Sequence, residues 1–480
     1  MRITVIGTGY VGLVTGVCLS YLGHRVTCVD IDADKVARLE RGELPIYEPG
    51  LAELLGLAGA RGGIDFRTEL EPAVAESDVV FIAVGTPPLP SGESNLAYLE
   101  SAARGIGAAM DSSRRRVVVN KSTVPVGCGN LVEALIREGV RTPGIRFNVA
   151  SNPEFLREGC AITDSLYPER IVLGAEEDET LAVMRELYNP LIEQRFDPPA
   201  FLPRPADRSR VPVVETTLTS AETIKYAANA FLAMKIGFAN EIANICERVG
   251  ADGTQVLAGV GLDSRVGAKF LNAGIGWGGS CFGKDVQSLL HTASEYGYQA
   301  RLLEATLAVN RAQRQLVIQK LQEKLFILKG RTIALLGLSF KPGTDDLRDA
   351  PSLQIAERLV QMGARVSVYD PIAMEVCRQQ HPTLPVQYCP SALAAVAGAH
   401  AVVLITEWDE FRSLDLAEVA RLAARPIFID GRNFFSPEAA SRAGLDYSGI
   451  GRVPLKPRRE IADHSSAPPA LRSYPPLSVV

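Results

Sequence analysis

The sequence predicts an α/β protein built of two doubly wound domains joined by a long central α-helix. Three observations carry that expectation. An apolar strand runs into a Gly-x-Gly-x-x-Gly turn at residues 7–12, the stretch from Thr219 to Gly250 is helix-compatible throughout, and a second strand-turn-helix series follows Gly330. A strand, a glycine turn opening a helix and a second parallel strand make the βαβ unit of Rossmann-like sheets.

In order along the chain, residues 3–6 form the first strand, Gly7-Thr8-Gly9-Tyr10-Val11-Gly12 the turn, and a small-residue helix stops near Gly23. Arg25–Val29 is a second strand ending in Asp30, and further strands are expected at 78–84, 116–120 and 148–150. The proline-rich stretch 196–213 reads as a surface loop. Thr219-Ser220-Ala221-Glu222 has capping-box spacing and opens the central helix, with Ile224, Ala228, Phe231, Ile236, Ile242 and Ile245 giving its buried faces. A helix of this length bridges domains or subunits.

After Gly330 the series repeats: a strand at 332–338, a helix at 352–362, a strand at Arg365–Tyr369 ending in Asp370, and an apolar strand at 401–405. The chain therefore divides into residues 1–215, 216–325 and 326–452, followed by a proline-rich tail at 453–480 that is expected to be disordered.

At 480 residues the chain exceeds one ordinary core, and 47% hydrophobic with 22% charged residues supplies several. A net charge of -5 offers no positive field for nucleic acid or an anionic membrane, so anionic ligands must be met locally. The first apolar run is too short for a signal sequence and no segment approaches the ~20 apolar residues of a membrane span, which predicts a cytoplasmic protein. Eight cysteines without CxxC spacing argue against a disulfide framework or a metal site, and seven of them are expected to be small buried side chains. The five histidines lie in no polar cluster that would mark a base.

Gly7, Gly9 and Gly12 permit a tight turn, a close approach of pyrophosphate to backbone, and close helix-strand packing. Asp30 stands 23 residues after Gly7, where an acid accepts from a ribose 2'-hydroxyl and repels a 2'-phosphate, so the cofactor is expected to be NAD. Asp32 and Asp34 add to that field, whereas Lys35 and Arg38 oppose it. The second constellation is Gly274-Ile-Gly-Trp-Gly-Gly-Ser-Cys281-Phe-Gly-Lys284-Asp285. Five glycines in ten residues exclude a regular element and expose Cys281, and a nearby lysine favours its thiolate. A thiolate beside NAD carries an alcohol through aldehyde, thiohemiacetal and thioester to an acid, reducing two NAD per substrate.

These motifs resemble those of the UDP-glucose 6-dehydrogenase family, within the UDP-glucose/GDP-mannose dehydrogenases. The resemblance also rests on Val84-Gly-Thr-Pro87, Lys121-Ser-Thr-Val-Pro-Val126, Asn152-Pro-Glu-Phe-Leu-Arg-Glu-Gly159, Ala221-Glu-x-x-Lys225-x-x-x-Asn229, Phe340-Lys341-x-x-Thr-x-Asp-x-Arg348 and Asp430-Gly-Arg432. It implies Cys281 as nucleophile, Lys225 and Asp285 as the pair handling the alcohol proton, and Asn229 as an oxyanion donor. It further implies Thr123 and Glu154 as holders of the attacking water, with Glu154 as its base.

For the cofactor the resemblance implies the turn residues Gly7, Gly9, Tyr10, Val11 and Gly12, with Asp30, Lys35, Thr86, Thr123, Glu158, Lys284 and Arg348. For UDP-glucose it implies Glu154, Phe155, Leu156, Lys225, Asn229, Phe270, Gly278, Lys341 and Arg432, with Arg265 reaching across the interface of a homodimer or larger homo-oligomer. Residues 1–215 would then bind NAD, 216–325 dimerise and carry the cysteine, and 326–452 bind the UDP-sugar. Three features depart from the family pattern: Trp277 replaces a usual Phe, Asn272 a position that is often basic, and the 196–213 loop is longer. Other nucleotide sugars, GDP-mannose or a UDP-N-acetyl hexosamine, and a silent nucleotide-sugar-binding protein remain the alternatives.

Overall fold

A computed structural model describes residues 1–89 and 92–453. All but Val453 of the tail expected to be disordered lies outside the described residues.

Strands β1 to β8 are Arg2–Ile6, Arg25–Val29, Ile64–Arg67, Val79–Ile82, Arg116–Asn120, Phe147–Ser151, Ile171–Gly174 and Val213–Thr216. They form one sheet in the order β3-β2-β1-β4-β5-β6-β7-β8, parallel except where β7 meets β6. Strands β9 to β14 are Thr332–Leu336, Arg365–Tyr369, Gln387–Tyr388, Ala401–Leu404, Ile427–Asp430 and Asp446–Ser448, ordered β11-β10-β9-β12-β13-β14 and parallel throughout. Two doubly wound sheets thus stand where the sequence places them.

The chemistry of the strands explains this. β4 (VVFI), β12 (AVVL) and β13 (IFID) are buried along their whole length, as parallel strands covered on both faces must be. The first helix, Tyr10–Tyr21, lies so close to the sheet that a Cβ on Gly16 would stand 2.5 Å from Cys28 Sγ. Small residues on its inner face are what permit that approach.

The central helix runs Leu218–Val249 and ends on Gly250 at φ 80°, a left-handed cap. Its start corrects the expectation of a Thr219 capping box: Thr217 is the cap, accepting from Ser220 N, while Glu222 turns inward to accept from Gly127 N and Gly129 N at 2.7 Å. Glu222 therefore fastens the helix to the first sheet rather than closing its own first turn.

The buried stripe differs too. Ala221, Ala230, Ala233, Gly237, Ala239 and Ala243 face inward, whereas Phe231 and Ile245, expected inside, are 57% and 50% exposed. Small residues let helices Phe282–Glu295 and Arg301–Leu325 pack closely, which leaves the bulky ones outward. The 196–213 loop is pinned to the first sheet's helices, with Tyr21 Oη donating to Asp197 O at 2.8 Å and Tyr167 Oη to Leu202 O at 3.0 Å. Among the described residues no helix is long and apolar enough to cross a membrane.

Candidate active site

The first sheet reverses its strand order between β1 and β4, and the Gly7 turn lies there. Gly7 sits at φ 94° and donates its N–H to Val29 O at 2.8 Å. A Cβ on Gly12 would stand 1.9 Å from Gly7 O, so helix and turn are in contact, while a Cβ on Gly9 would meet nothing within 4 Å. The open face at Gly9 caps the helix that begins at Tyr10, where unpaired N–H groups and the helix dipole favour an anion. This cradle fits a dinucleotide pyrophosphate.

Asp30 closes the turn from behind. It accepts from Thr8 N at 2.8 Å and Thr8 Oγ1 at 2.6 Å, and Lys35 Nζ pairs with it at 3.1 Å. Burial raises its pKa, but these bonds outweigh burial and hold the carboxyl below its ordinary range. β4 and β5 lead to Thr86, whose hydroxyl donates to Thr123 O at 2.7 Å. The second sheet repeats the arrangement, with Gly337 N donating to Tyr369 O at 2.8 Å and Asp370 accepting from Leu338 N at 2.7 Å. There the acid is wholly buried and also takes Trp408 Nε1 at 3.0 Å, so it serves its own loop.

A cavity of about 660 Å³ lies among the first sheet, the central helix and the cysteine segment. Glu154, Phe155, Leu156, Lys225, Asn229, Phe270, Gly278, Cys281 and Lys341 line it together. Glu154 follows β6, and Lys225 and Asn229 occupy one face of the central helix, one turn apart. Lys225 Nζ is 2.8 Å from Glu154 Oε1, and Asn229 Nδ2 donates to Asp285 Oδ2 at 2.6 Å. Asp285 is 1% exposed and also takes Lys284 Nζ at 2.6 Å.

The electrostatics follow from this burial. Desolvation would raise the Glu154 pKa, yet Lys225 and the Leu156 N–H keep it below the ordinary carboxylate value. Desolvation lowers Lys225, and Glu154, Cys281 and Asp285 more than restore it. Cys281, at the N-cap of helix Phe282–Glu295, is pushed up: burial dominates, Glu154 and Asp285 add to it, and Lys225 opposes.

This corrects the expected role of Lys284 beside the thiol. Its ammonium is captured by Asp285, and the lysine that acts on Cys281 is Lys225. The expectation that the other seven cysteines are buried fails at Cys160, which caps a short helix and is exposed.

Several implied residues lie elsewhere. Thr123 shares a narrow space with Lys225 and Tyr226. Arg432 lines a separate cavity of about 520 Å³ with Asn272. The Arg265 side chain is 87% exposed and paired with Asp263, so it lines neither large cavity within one chain. Glu158, by contrast, lines the main cavity and joins the two sheets' loops, accepting from Arg348 Nη2 at 3.1 Å and Thr344 Oγ1 at 3.2 Å, and burial, reinforced by Asp346, raises its carboxyl to about 7. Lys121, Asn152, Tyr188 and Arg170 also line the main cavity without a role assigned from sequence. The signal for Lys121 was available, since a lysine directly after the apolar β5 is forced into the interior.

Residues 1–192 match the NAD binding domain of the UDP-glucose/GDP-mannose dehydrogenase family, residues 219–312 its central domain and residues 334–437 its UDP binding domain. The chain belongs to this family. The chain is 45% identical over 457 residues to UDP-glucose 6-dehydrogenase YwqF of Bacillus subtilis, covering 95% of this chain and 99% of that protein. It is 46% identical over 456 residues to UDP-glucose 6-dehydrogenase of Rhizobium meliloti, covering 94% and 100%. Among solved structures, a UDP-glucose dehydrogenase from Pyrobaculum islandicum aligns with a TM-score of 0.84 at 38% identity, covering 94% of this chain and 98% of that one.

Within the UDP-glucose/GDP-mannose dehydrogenase family, the Trp277 departure now has a structural place. Its ring is 6% exposed, packs edge-on against Phe282 at 5.9 Å, and does not line the main cavity. Its backbone N–H donates to Asn310 Oδ1 at 2.8 Å, so the larger ring fills core space behind Phe282.

Proposed function

We propose that this chain is an NAD-dependent UDP-glucose 6-dehydrogenase that oxidises the C6 alcohol to a carboxylate, reducing two NAD per substrate. The observation that carries the reading is the single cavity in which Cys281, Lys225, Glu154 and Asn229 converge, in a chain 45% identical to an enzyme named for that reaction. NAD supplies a hydride acceptor for each of two oxidations. Gly9, Asp30 and Thr86 would bind it at the switch point of the first sheet.

The rest is done by the protein. Asp285 accepts the hydroxyl proton, and the Lys225 ammonium, kept charged by Glu154, Cys281 and Asp285, stabilises the oxygen as it becomes anionic. Cys281 Sγ adds to the aldehyde carbon, its proton leaving and a C–S bond forming, and Asn229 donates to the resulting oxyanion. After the second oxidation the group is a thioester. Glu154 draws a proton from water, the water oxygen bonds to the carbonyl carbon, and the C–S bond breaks to return the thiol. Lys341 supplies a cation for the diphosphate from the main cavity, and Arg432, which lines the separate cavity and whose Nη2 donates to Phe340 O at 3.5 Å beside Lys341, supplies a second, in a chain whose net charge is negative.

Phe231, Phe238 and Ile245 recur every seven residues on the central helix and are 57%, 49% and 50% exposed. This apolar stripe supports a homodimer packed helix to helix, in which Arg265 serves the neighbouring cavity. Cytoplasmic residence follows from the nucleotide substrates.

NADH yield with limiting UDP-glucose, run beside GDP-mannose and UDP-N-acetylglucosamine, tests the reading. Two equivalents from UDP-glucose are expected. A yield of one, or preference for another sugar, would overturn it.

A further inference from the structure

We propose that Lys121 is a positioning residue for the oxidation: it is the second cation facing Glu154, and it allows Lys225 to leave that carboxylate for the reacting oxygen. The inference rests on the roles given to Glu154 and Lys225 above.

Lys121 directly follows β5, is 8% exposed and lines the main cavity. Its ammonium donates to Asn152 Oδ1 at 2.9 Å and to Asn152 O at 3.4 Å. Asn152 is itself fixed, since Nδ2 donates to Val172 O at 2.8 Å and Tyr188 Oη donates to Oδ1 at 2.6 Å. Every hydrogen bond of the Lys121 ammonium among the described residues therefore ends on a neutral oxygen. Its positive charge is held rigidly in the interior and is not spent on an adjacent carboxylate.

The charge is nevertheless felt by Glu154. Three ionisable groups act on that carboxylate, Lys121 from the end of β5, Lys225 from the central helix and Cys281 from the cysteine segment, while Asp285 acts on Lys225 and Cys281. Lys225 dominates the stabilisation of the Glu154 anion, and Lys121 adds to it across space. In return Glu154 supports the Lys121 charge against burial, which still pulls its pKa down to about 8.

Charge balance gives the function. Asp285 has Lys284, and Glu154 has Lys225, so without Lys121 the cluster would be neutral before any chemistry. Committing Lys225 to the substrate oxygen would then strand a buried carboxylate, which is strongly unfavourable. Lys121 keeps Glu154 compensated when Lys225 turns away. The same spare positive charge matches the negative charge that develops on the reacting oxygen and on sulfur. A lysine buried only to anchor Asn152 would be a costly choice, since an amide would make the same bond.

Lys121→Gln retains a donor for Asn152 and removes the charge. We expect kcat for NADH formation from UDP-glucose to fall about tenfold or more, KM for UDP-glucose to change less than about threefold, and the acid limb of kcat to move up by about one pH unit. Lys121→Arg should return the limb to its wild-type position. Tyr188→Phe, which removes a hydrogen bond from Asn152 but no charge, should leave the limb unmoved. A Lys121→Gln enzyme with wild-type kcat and limb overturns the inference, as does an equal effect from Tyr188→Phe.

The unmodified enzyme gives a reading that needs no Lys121→Gln protein. Its kcat should fall as pH rises through about 8, where Lys121 loses its proton. That basic limb should lie higher in Lys121→Arg. A wild-type kcat that stays flat or rises through this range overturns the inference while two NADH per UDP-glucose still form. No NADH at all would remove the functional reading itself, and this inference with it.

Discussion

Lys225 Nζ stands 2.8 Å from Glu154 Oε1 with the two side chains 4% and 5% exposed, so each ion depends on the other. Removing Lys225 leaves the buried Glu154 carboxylate without its hydrogen-bonded cation and with only the weaker support of Lys121, at a cost of about 3 kcal/mol. Lys225→Ala should therefore lower both thermal stability and kcat, the latter by about a thousandfold. Adding Glu154→Gln to that variant should recover most of the stability and none of the activity. A double variant no more stable than Lys225→Ala would show that the pair is not what holds this part of the cavity.

The thiol offers a prediction with a definite sign. Cys281 is raised by burial and then by Glu154, so it is protonated at neutral pH in the resting site. Glu154→Gln removes a negative neighbour and releases Lys225 from its ion pair, and both changes lower the thiol pKa. Alkylation of Cys281 by iodoacetamide at pH 7 should then be faster than in the wild type by about threefold to tenfold, although turnover is lost. Mass spectrometry of the Cys281 peptide distinguishes it from the exposed Cys160, and unchanged or slower labelling would contradict the assigned electrostatics.

Two glycines of the turn should fail in different ways. A Cβ on Gly12 would stand 1.9 Å from Gly7 O, and no rotamer change relieves a contact with backbone. Gly12→Ala should lose stability outright. A Cβ on Gly9 meets nothing within 4 Å, so Gly9→Ala should fold with a thermal midpoint within about 2 °C of wild type. The added methyl occupies the face offered to pyrophosphate, and NAD affinity should drop about tenfold or more by calorimetry. Undiminished NAD binding in Gly9→Ala would move the cofactor away from this turn.

What the sequence revealed follows from how local each constraint is. Gly7, Gly12 and the glycines before Cys281 were legible because a left-handed φ or a backbone contact restricts the residue type at that position. The i, i+4 spacing of Lys225 and Asn229 put them on one face, but only the packing of the cysteine segment made that face interior. Glu222 was misread as a local cap because its partners, Gly127 and Gly129, lie 95 and 93 positions away in the chain. Lys284 was misassigned for a similar reason, since adjacency in sequence put it near Cys281 while Asp285 took its charge in space.

The outward Phe231 and Ile245 were hidden by the assumption that large apolar residues mark the buried side of the helix. Their exposure has a consequence of its own. Phe238 and Ile245 lie seven residues apart, are 49% and 50% exposed, and do not line the main cavity, so charges there can be introduced without touching it. If the proposed homodimer packs through this stripe, Phe238→Lys with Ile245→Lys should give a monomer by light scattering, because like charges would face each other across the helix pair. If Arg265 serves the neighbouring cavity, the monomer should keep NAD affinity while KM for UDP-glucose rises about tenfold or more. Arg265→Ala in the otherwise unaltered protein should reproduce that KM change without changing its size by light scattering. A double variant that remains dimeric would place the interface on another face, and a monomer with unchanged KM would return Arg265 to the surface of its own chain.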